Sequence, residues 1–211
     1  MKKIILLILL ISALAVSFTA CGNKPETKLP DKNVIEEIFN TVTPKEDARN
    51  SAKQGNVVLI EKMKCVAGQD IWDAFVKKTS EGEPCEVLLA RYSDFTEQNA
   101  ALEDREGVID IYMLYYLVNF DGKEYNVKVR MSDTEKLDSE GTFKYMMHFS
   151  GDGKLLNAIP STYDRYVLTE KNDITWEDIE WSVLSSSIEP AKKVGAWMPL
   201  YESVNFEENE E

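Results

Sequence analysis

Residues 108–131 read VIDIYMLYYLVNFDGKEYNVKVRM, two apolar runs joined by Asp121-Gly122. That dipeptide between alternating hydrophobics is the residue pair of a two-residue hairpin loop, with type I′ geometry expected. A loop of Asp121 and Gly122 pairs Phe120 with Lys123. Tyr112, Leu114, Tyr116 and Val118 then lie opposite Met131, Val129, Val127 and Tyr125. Side chains alternate along a strand, so these eight share one face, and all are apolar or aromatic. That face is core. The other carries Ile111, Met113, Tyr115 and Leu117 beside Glu124, Asn126, Lys128 and Arg130. An apolar stripe of this length needs a cover. The chain can supply one from its C-terminal segment (Trp197, Leu200, Tyr201) or its N-terminal helices. The functional alternative is a ligand or partner protein that meets Met113, Tyr115 and the cationic pair Lys128 and Arg130.

Outward from the hairpin, residues 57–60 and 87–92 read as strands. Between them, Ile71, Trp72, Phe75 and Val76 mark one face of a helix over residues 69–80. Two more strands are expected at residues 142–149 and 163–169, separated by Gly151-Asp152-Gly153 and a loop at Pro160. Thr175-Trp176-Glu177-Asp178 is a capping-box variant that starts a helix running to about Ser185. Residues 194–204 read as extended. This order predicts an α+β fold, an antiparallel sheet of about five strands with helices packed on it.

The N-terminal part is different in character. Residues 22–33 are polar, contain two prolines and read as a tether. Val34, Ile35, Ile38 and Phe39 have helical spacing, and Thr43-Pro44-Lys45-Glu46 opens a second helix that ends near Gly55. The apolar face of this pair is thin, which predicts loose attachment. The expected organisation is a signal segment at 1–20, tether and short helices at 21–55, a single α+β domain at 56–204 and an acidic tail at 205–211.

The chain has 211 residues with Lys+Arg 24 against Asp+Glu 37, a formal charge of −13. Phosphate binding needs a basic patch, so this balance argues against a nucleic-acid partner. Three Cys and one His leave little material for metal or thiol–imidazole chemistry, and no cofactor is implied.

Residues 1–20 carry an address. Lys2 and Lys3 form a positive start, and residues 4–16 are apolar apart from Ser12, a run too short to span a bilayer. Phe18-Thr19-Ala20-Cys21 places small residues before a cysteine. This resembles a bacterial lipoprotein signal with its lipobox, which implies a lipid on Cys21 and a place on the outer face of the cell membrane. Two acyl chains on one residue give stable anchoring. Loss of residues 1–20 leaves 22 basic against 37 acidic side chains, or −15. An anionic membrane surface repels such a chain, so the lipid has to hold it.

Catalytic signals are sparse. His148 has no recognisable nucleophile motif beside it. The polar loop at 93–107, with Glu103-Asp104, is where a carboxylate-dependent hydrolase would draw its acids. Asp152-Gly153 reads as turn chemistry. Cys65 and Cys85 flank the helix at 69–80, which opposes the close Cα approach of a disulfide, although an extracytoplasmic site permits one. Lys64-Cys65-Val66-Ala67-Gly68 resembles the Gln-x-Val-x-Gly hairpin of cystatin-type protease inhibitors, without the Gln and ahead of a helix.

Gly68, Trp72, Phe75, Gly82, Val87 and Tyr92, then Asp121-Gly122-Lys123, Tyr166-Val167-Leu168 and Thr175-Trp176-Glu177-Asp178-Ile179 form a scattered pattern over residues 62–186. It resembles a group of lipid-anchored and secreted α+β domains of Gram-positive bacteria to which no activity is attached. Members often carry Glu-Gly-Asp-Pro after the strand equivalent to the one at Tyr92, where this chain has Tyr92-Ser93-Asp94-Phe95 and a longer loop. The resemblance implies no catalytic residue. The sequence as a whole reads as a lipid-anchored extracytoplasmic domain that binds a protein or cell-envelope partner without catalysis; a carboxylate-dependent hydrolase and a cystatin-like inhibitor are the alternatives.

Overall fold

The computed structural model describes residues 28–41, 45–94, 111–131, 139–155 and 159–206. In chain order the elements are α1 (Lys32–Asn40), α2 (Lys45–Lys53), β1 (Val58–Glu61), β2 (Lys64–Ala67), α3 (Gln69–Ser80), β3 (Cys85–Asp94), β4 (Ile111–Phe120), β5 (Tyr125–Met131), β6 (Ser139–Phe143), β7 (Tyr145–Leu155), β8 (Ile159–Thr169), α4 (Trp176–Leu184), α5 (Ile188–Val194) and β9 (Trp197–Phe206). The class is α+β. In place of one antiparallel sheet of about five strands there are two sheets. The first has six strands in the order β2-β1-β3-β4-β5-β6, and the second three in the order β7-β8-β9. The first is mixed, because β1 runs parallel to β3 across the α3 crossover.

The β4–β5 hairpin is present with a corrected register. Phe120 pairs with Tyr125 and Tyr116 with Val129, two residues from the expected partners. Gly122 and Lys123 form the loop. Gly122 has φ 98° while Lys123 stays out of the positive-φ region, the residue pattern of a II′ turn and not I′. Asp121 Oδ1 accepts from the amides of Lys123 and Glu124 at 2.8 and 2.9 Å. These two bonds hold its carboxyl below the usual range. A shift of two residues is even, so every side chain keeps the face assigned from alternation.

Each face of the first sheet has its own cover. On one, Ile35 and Phe39 of α1 and Ala48 and Ala52 of α2 bury against Leu88, Ala90, Met113, Tyr115 and Leu117. The N-terminal helices are therefore integral, contrary to the expected loose attachment. Ile35 and Phe39 are 0% and 3% exposed. On the other face, Ile71, Trp72 and Phe75 of α3 pack with Val87, Leu89, Tyr116, Val118 and Val127, and Leu168, Leu200 and Tyr201 of the second sheet close the same core. The C-terminal strand thus covers the face opposite the Tyr115 stripe. Each large side chain so buried contributes about 1.5–3 kcal/mol.

The second sheet buries its far side, through Val167, under Ile174, Ile179 and Val194. Thr175 and Asp178 make the reciprocal capping box at the start of α4. Two readings of this half are corrected. Residues 142–149 are not one strand: the chain bends at Lys144, leaving β6 in the first sheet and beginning β7 in the second. Gly151-Asp152-Gly153 is no turn either, since Asp152 pairs with Thr162 inside the β7–β8 ladder.

An ionic triad ties the sheets together. Glu202 of β9 pairs with Arg91 of β3 and, at 3.6 Å, with Arg165 of β8. The three side chains are 14%, 20% and 8% exposed. The Arg165 guanidinium also lies 4.3 Å from the ring centre of Trp176, a cation–π contact that brings α4 into the joint.

Candidate binding groove

An open groove of about 970 Å³ lies where β3 begins and β4 ends, beside the β4–β5 turn. Three stretches meet there: the chain leading into α1 (Lys28, Leu29, Pro30, Lys32), the end of α3 with its exit (Lys78, Glu83, Pro84), and the β3–β4 pair (Cys85, Glu86, Asn119, Phe120, Asp121). Local chemistry explains the meeting. The α3 helix stops in a Schellman motif, with the Glu83 amide bonded to the Lys78 carbonyl and the Gly82 amide to that of Thr79. Pro84 then cannot continue the helix. Register places Cys85 opposite Phe120 and Glu86 opposite Asn119.

Glu86 sits at the floor. Its side chain is 7% exposed, unusual for a carboxylate unless it is paired. Oε2 accepts from Asn119 Nδ2 at 3.0 Å and lies 3.1 Å from Lys32 Nζ. The hydrogen bond and charge of Glu86 hold the Lys32 ammonium above its ordinary range. Oε1 accepts no bond among the described residues. At the rim, Lys78 pairs with Glu83 at 2.9 Å, whereas Lys28 has no partner among the described residues. Leu29, Pro30, Pro84 and Phe120 provide apolar wall. Burial pushes the Cys85 thiol up to about 11. At neutral pH it is protonated, which is the wrong state for a nucleophile.

The residues singled out from the sequence fall elsewhere. Met113 and Tyr115 are 2% and 1% exposed beneath α1 and α2, so neither offers a partner surface on the folded chain. Lys128 is exposed on β5. Arg130 is half-buried, donates from Nη1 to the Asn40 carbonyl at 2.9 Å, and lies 5.5 Å from the centre of the Phe39 ring. Its role is to clasp the end of α1. Ser93 and Asp94 of the expected 93–107 loop belong to β3, while Cys21, Glu103, Asp104 and the rest of residues 95–110 lie outside the described residues.

His148 bonds Asp164 at 2.5 Å and stacks on Tyr166. The bonded pair is half-exposed, and Tyr166 makes edge contacts with Trp72 and Tyr201. Burial raises the Tyr166 and Tyr201 hydroxyls, so neither is poised to give up its proton. Both Cys65 and Cys85 are free thiols. Strand β1 lies between theirs, about two strand spacings or 9–10 Å across, beyond disulfide reach. Lys64–Ala67 is an edge strand, and Gly68 packs on backbone: a Cβ there would lie 2.5 Å from the Val57 carbonyl oxygen. That segment is not a freely presented hairpin tip.

The groove residues Lys28, Glu86 and Asn119 went unread in the sequence. One signal was present: Glu86 is an acid directly before the apolar run 87–90. Away from the groove, α4 and α5 expose Trp181, Val183, Leu184 and Ile188. Among the described residues no group of His, Cys, Asp and Glu is arranged to hold a metal ion, and no helix is long and apolar enough to cross a membrane. No known protein family, curated protein or solved structure matches the chain.

Proposed function

We propose that this chain is a lipid-anchored extracytoplasmic binding module, held to the outer face of the cell membrane through Cys21, whose ligand site is the groove over Glu86. The signal-like order of residues 1–20 supports the anchor, as does the resemblance to lipid-anchored Gram-positive domains. The observation that carries the binding site is a cavity of small-ligand size whose lining sets the buried Glu86–Lys32 ion pair beside the apolar Leu29, Pro30, Pro84 and Phe120. Binding without catalysis is favoured because the Cys65 and Cys85 thiols are held protonated and, among the described residues, the His148–Asp164 pair has no hydroxyl or thiol activated beside it.

Differential alkylation tests the site. Cys85 lines the groove and Cys65 does not, so one protein carries both probe and control. The small-molecule fraction of a cell-envelope extract should slow maleimide labelling of Cys85 and leave Cys65 unchanged. Equal rates at Cys85 with and without the fraction contradict the groove as a binding site.

A further inference from the structure

Resting on the reading of the chain as lipid-anchored through Cys21, we infer that the α4–α5 corner is a second membrane contact, a shallow apolar wedge seated in the outer surface of the bilayer. Trp181, Val183, Leu184 and Ile188 are 57%, 65%, 64% and 66% exposed and gather where α4 ends and α5 begins. Large apolar side chains clustered and exposed in this way mark an interaction site. Residues 181–188 read WSVLSSSI, without a charge, in a chain of −13. An anionic membrane that repels the rest of the chain meets no like charge at this corner. The acids on either side are engaged: Glu180 accepts from Trp176 Nε1 at 2.7 Å, and Glu189 pairs with Lys192 at 2.9 Å. Glu177 stands a helical turn back from Trp181, about 5 Å along the axis, where a shallow wedge still meets water. The polar groups of the corner are answered from within. The Ser185 amide donates to the Trp181 carbonyl at 3.0 Å, the Ser187 amide to Ser185 Oγ at 3.0 Å and the Glu189 amide to Ser187 Oγ at 3.4 Å, while Ser182 Oγ donates to the Ile179 carbonyl at 2.7 Å. Such bonds lower the cost of leaving water, and the amphipathic ring of Trp181 suits the headgroup level.

The tether brings this corner to the bilayer. The chain from Cys21 to Lys28 spans at most about 25 Å, so the lipid holds Lys28 close to the membrane. The α4–α5 connection does not line the groove, but it leaves and rejoins the second sheet at the same end of the molecule. Cys85 pairs with Phe120, Phe120 with Tyr125 and Tyr125 with Phe143; the Lys144 amide then donates to the Thr169 carbonyl at 3.2 Å, and Thr169 pairs with Trp197. This row of neighbours runs from the strand ends beside Lys28 and Lys32 to the two residues that bracket α4 and α5. Anchoring therefore sets the corner against lipid at high effective concentration. A second copy of the chain is a poorer occupant, because a stable interface takes about 20–30 residues a side. A few large side chains are enough for shallow seating beside a covalent lipid.

The probe is a phosphatidylcholine vesicle with brominated acyl chains, carrying the mature lipidated protein; bromine quenches tryptophan only at contact, and flotation reads the anchor separately. Wild-type tryptophan emission should fall in brominated relative to unbrominated vesicles. Trp181→Phe should abolish the difference, since Trp72 is buried and Trp176 and Trp197 pack in the core beneath α4 and α5. Leu184→Asp combined with Ile188→Asp should abolish it too, with flotation and urea midpoint unchanged, because both side chains are exposed. Protein that floats without quenching, or quenching that Trp181→Phe leaves intact, overturns the wedge and leaves the lipid anchor standing. A dimer of the detergent-extracted chain that the double Asp variant dissolves overturns it in favour of a second copy. Lipidated protein that fails to float takes down the anchor reading and the wedge together.

Discussion

The two faces of the first sheet are closed by different means. Under α1 and α2 the contact sets Ile35, Phe39 and two alanines on the Met113–Tyr115 stripe, with the ion pairs Lys32–Glu86 and Arg49–Glu61 beside it. Under α3 and the second sheet it is aromatic and carries a more deeply buried ionic triad between the two sheets. Trp72 stacks on Tyr201 at 4.8 Å, and Glu202 bridges two arginines. One hairpin feeds both faces, so its sequence announces two buried layers without naming their covers. The difference teaches that a thin helix can close a broad stripe when the stripe supplies most of the apolar surface. A buried ionic joint, in contrast, constrains which partners can meet.

The largest break in this comparison is removal of α1 and α2. A chain starting at Asn56 loses Ile35 and Phe39 from the core and bares Met113 and Tyr115. The expected cost is about 5 kcal/mol or more, comparable to the whole stability of many domains. Urea denaturation and dye binding should show lost cooperativity and exposed apolar surface.

Next in size is Glu202→Ala, which strands Arg91 and Arg165 without their acid. Breaking a buried pair from one side costs about 3–5 kcal/mol, visible as a lowered urea midpoint. Replacing all three members with apolar residues should recover much of the loss, which would separate the ionic joint from the apolar one.

Gly122→Val sharpens the shared element. The φ of 98° resists a β-branched side chain, and a Cβ there would meet the Gly82 carbonyl oxygen at 3.3 Å. The expected loss is about 1–3 kcal/mol. Since the hairpin serves both faces, thermal unfolding should stay a single transition at a lower midpoint.

The smallest effect is alkaline. The Cys85 thiol titrates near 9.0 when unfolded and near 11 when folded. Above pH 9 the unfolded state loses its proton first, so stability should fall between pH 9 and 11. Solvent access to the half-buried thiol limits the size of this effect. Cys85→Ala should flatten that limb of the urea midpoint against pH.

How far the sequence discloses this fold depends on which forces are local. Alternation along Tyr112 to Met131 gave the correct faces because an even register shift preserves them. The Thr175–Asp178 box and the helix over Gln69–Ser80 are written in adjacent residues and were legible. The break at Lys144 was hidden, because alternation runs unbroken through Thr142 to Phe149 while the chain changes sheets. Gly151-Asp152-Gly153 looked like a turn because two glycines were read without their cross-strand partners Tyr163 and Ser161. The helix α5 was missed although Ser187 caps it and Gly195 follows it. The groove joins residues 28–32, 78–86 and 119–121, which only the folded chain brings together.

Hydroxyl-radical footprinting of three tyrosines tests the central claim that the chain closes both faces by itself and leaves the groove as its open site. Tyr115 is 1% exposed beneath α1 and α2, Tyr116 is 8% exposed on the opposite face, and Tyr145 is 37% exposed. The account predicts that Tyr115 and Tyr116 are both strongly protected relative to Tyr145 in the full chain. Modification of Tyr115 at the rate of Tyr145 would contradict it, and would return the Met113–Tyr115 stripe to the surface as a site for a partner.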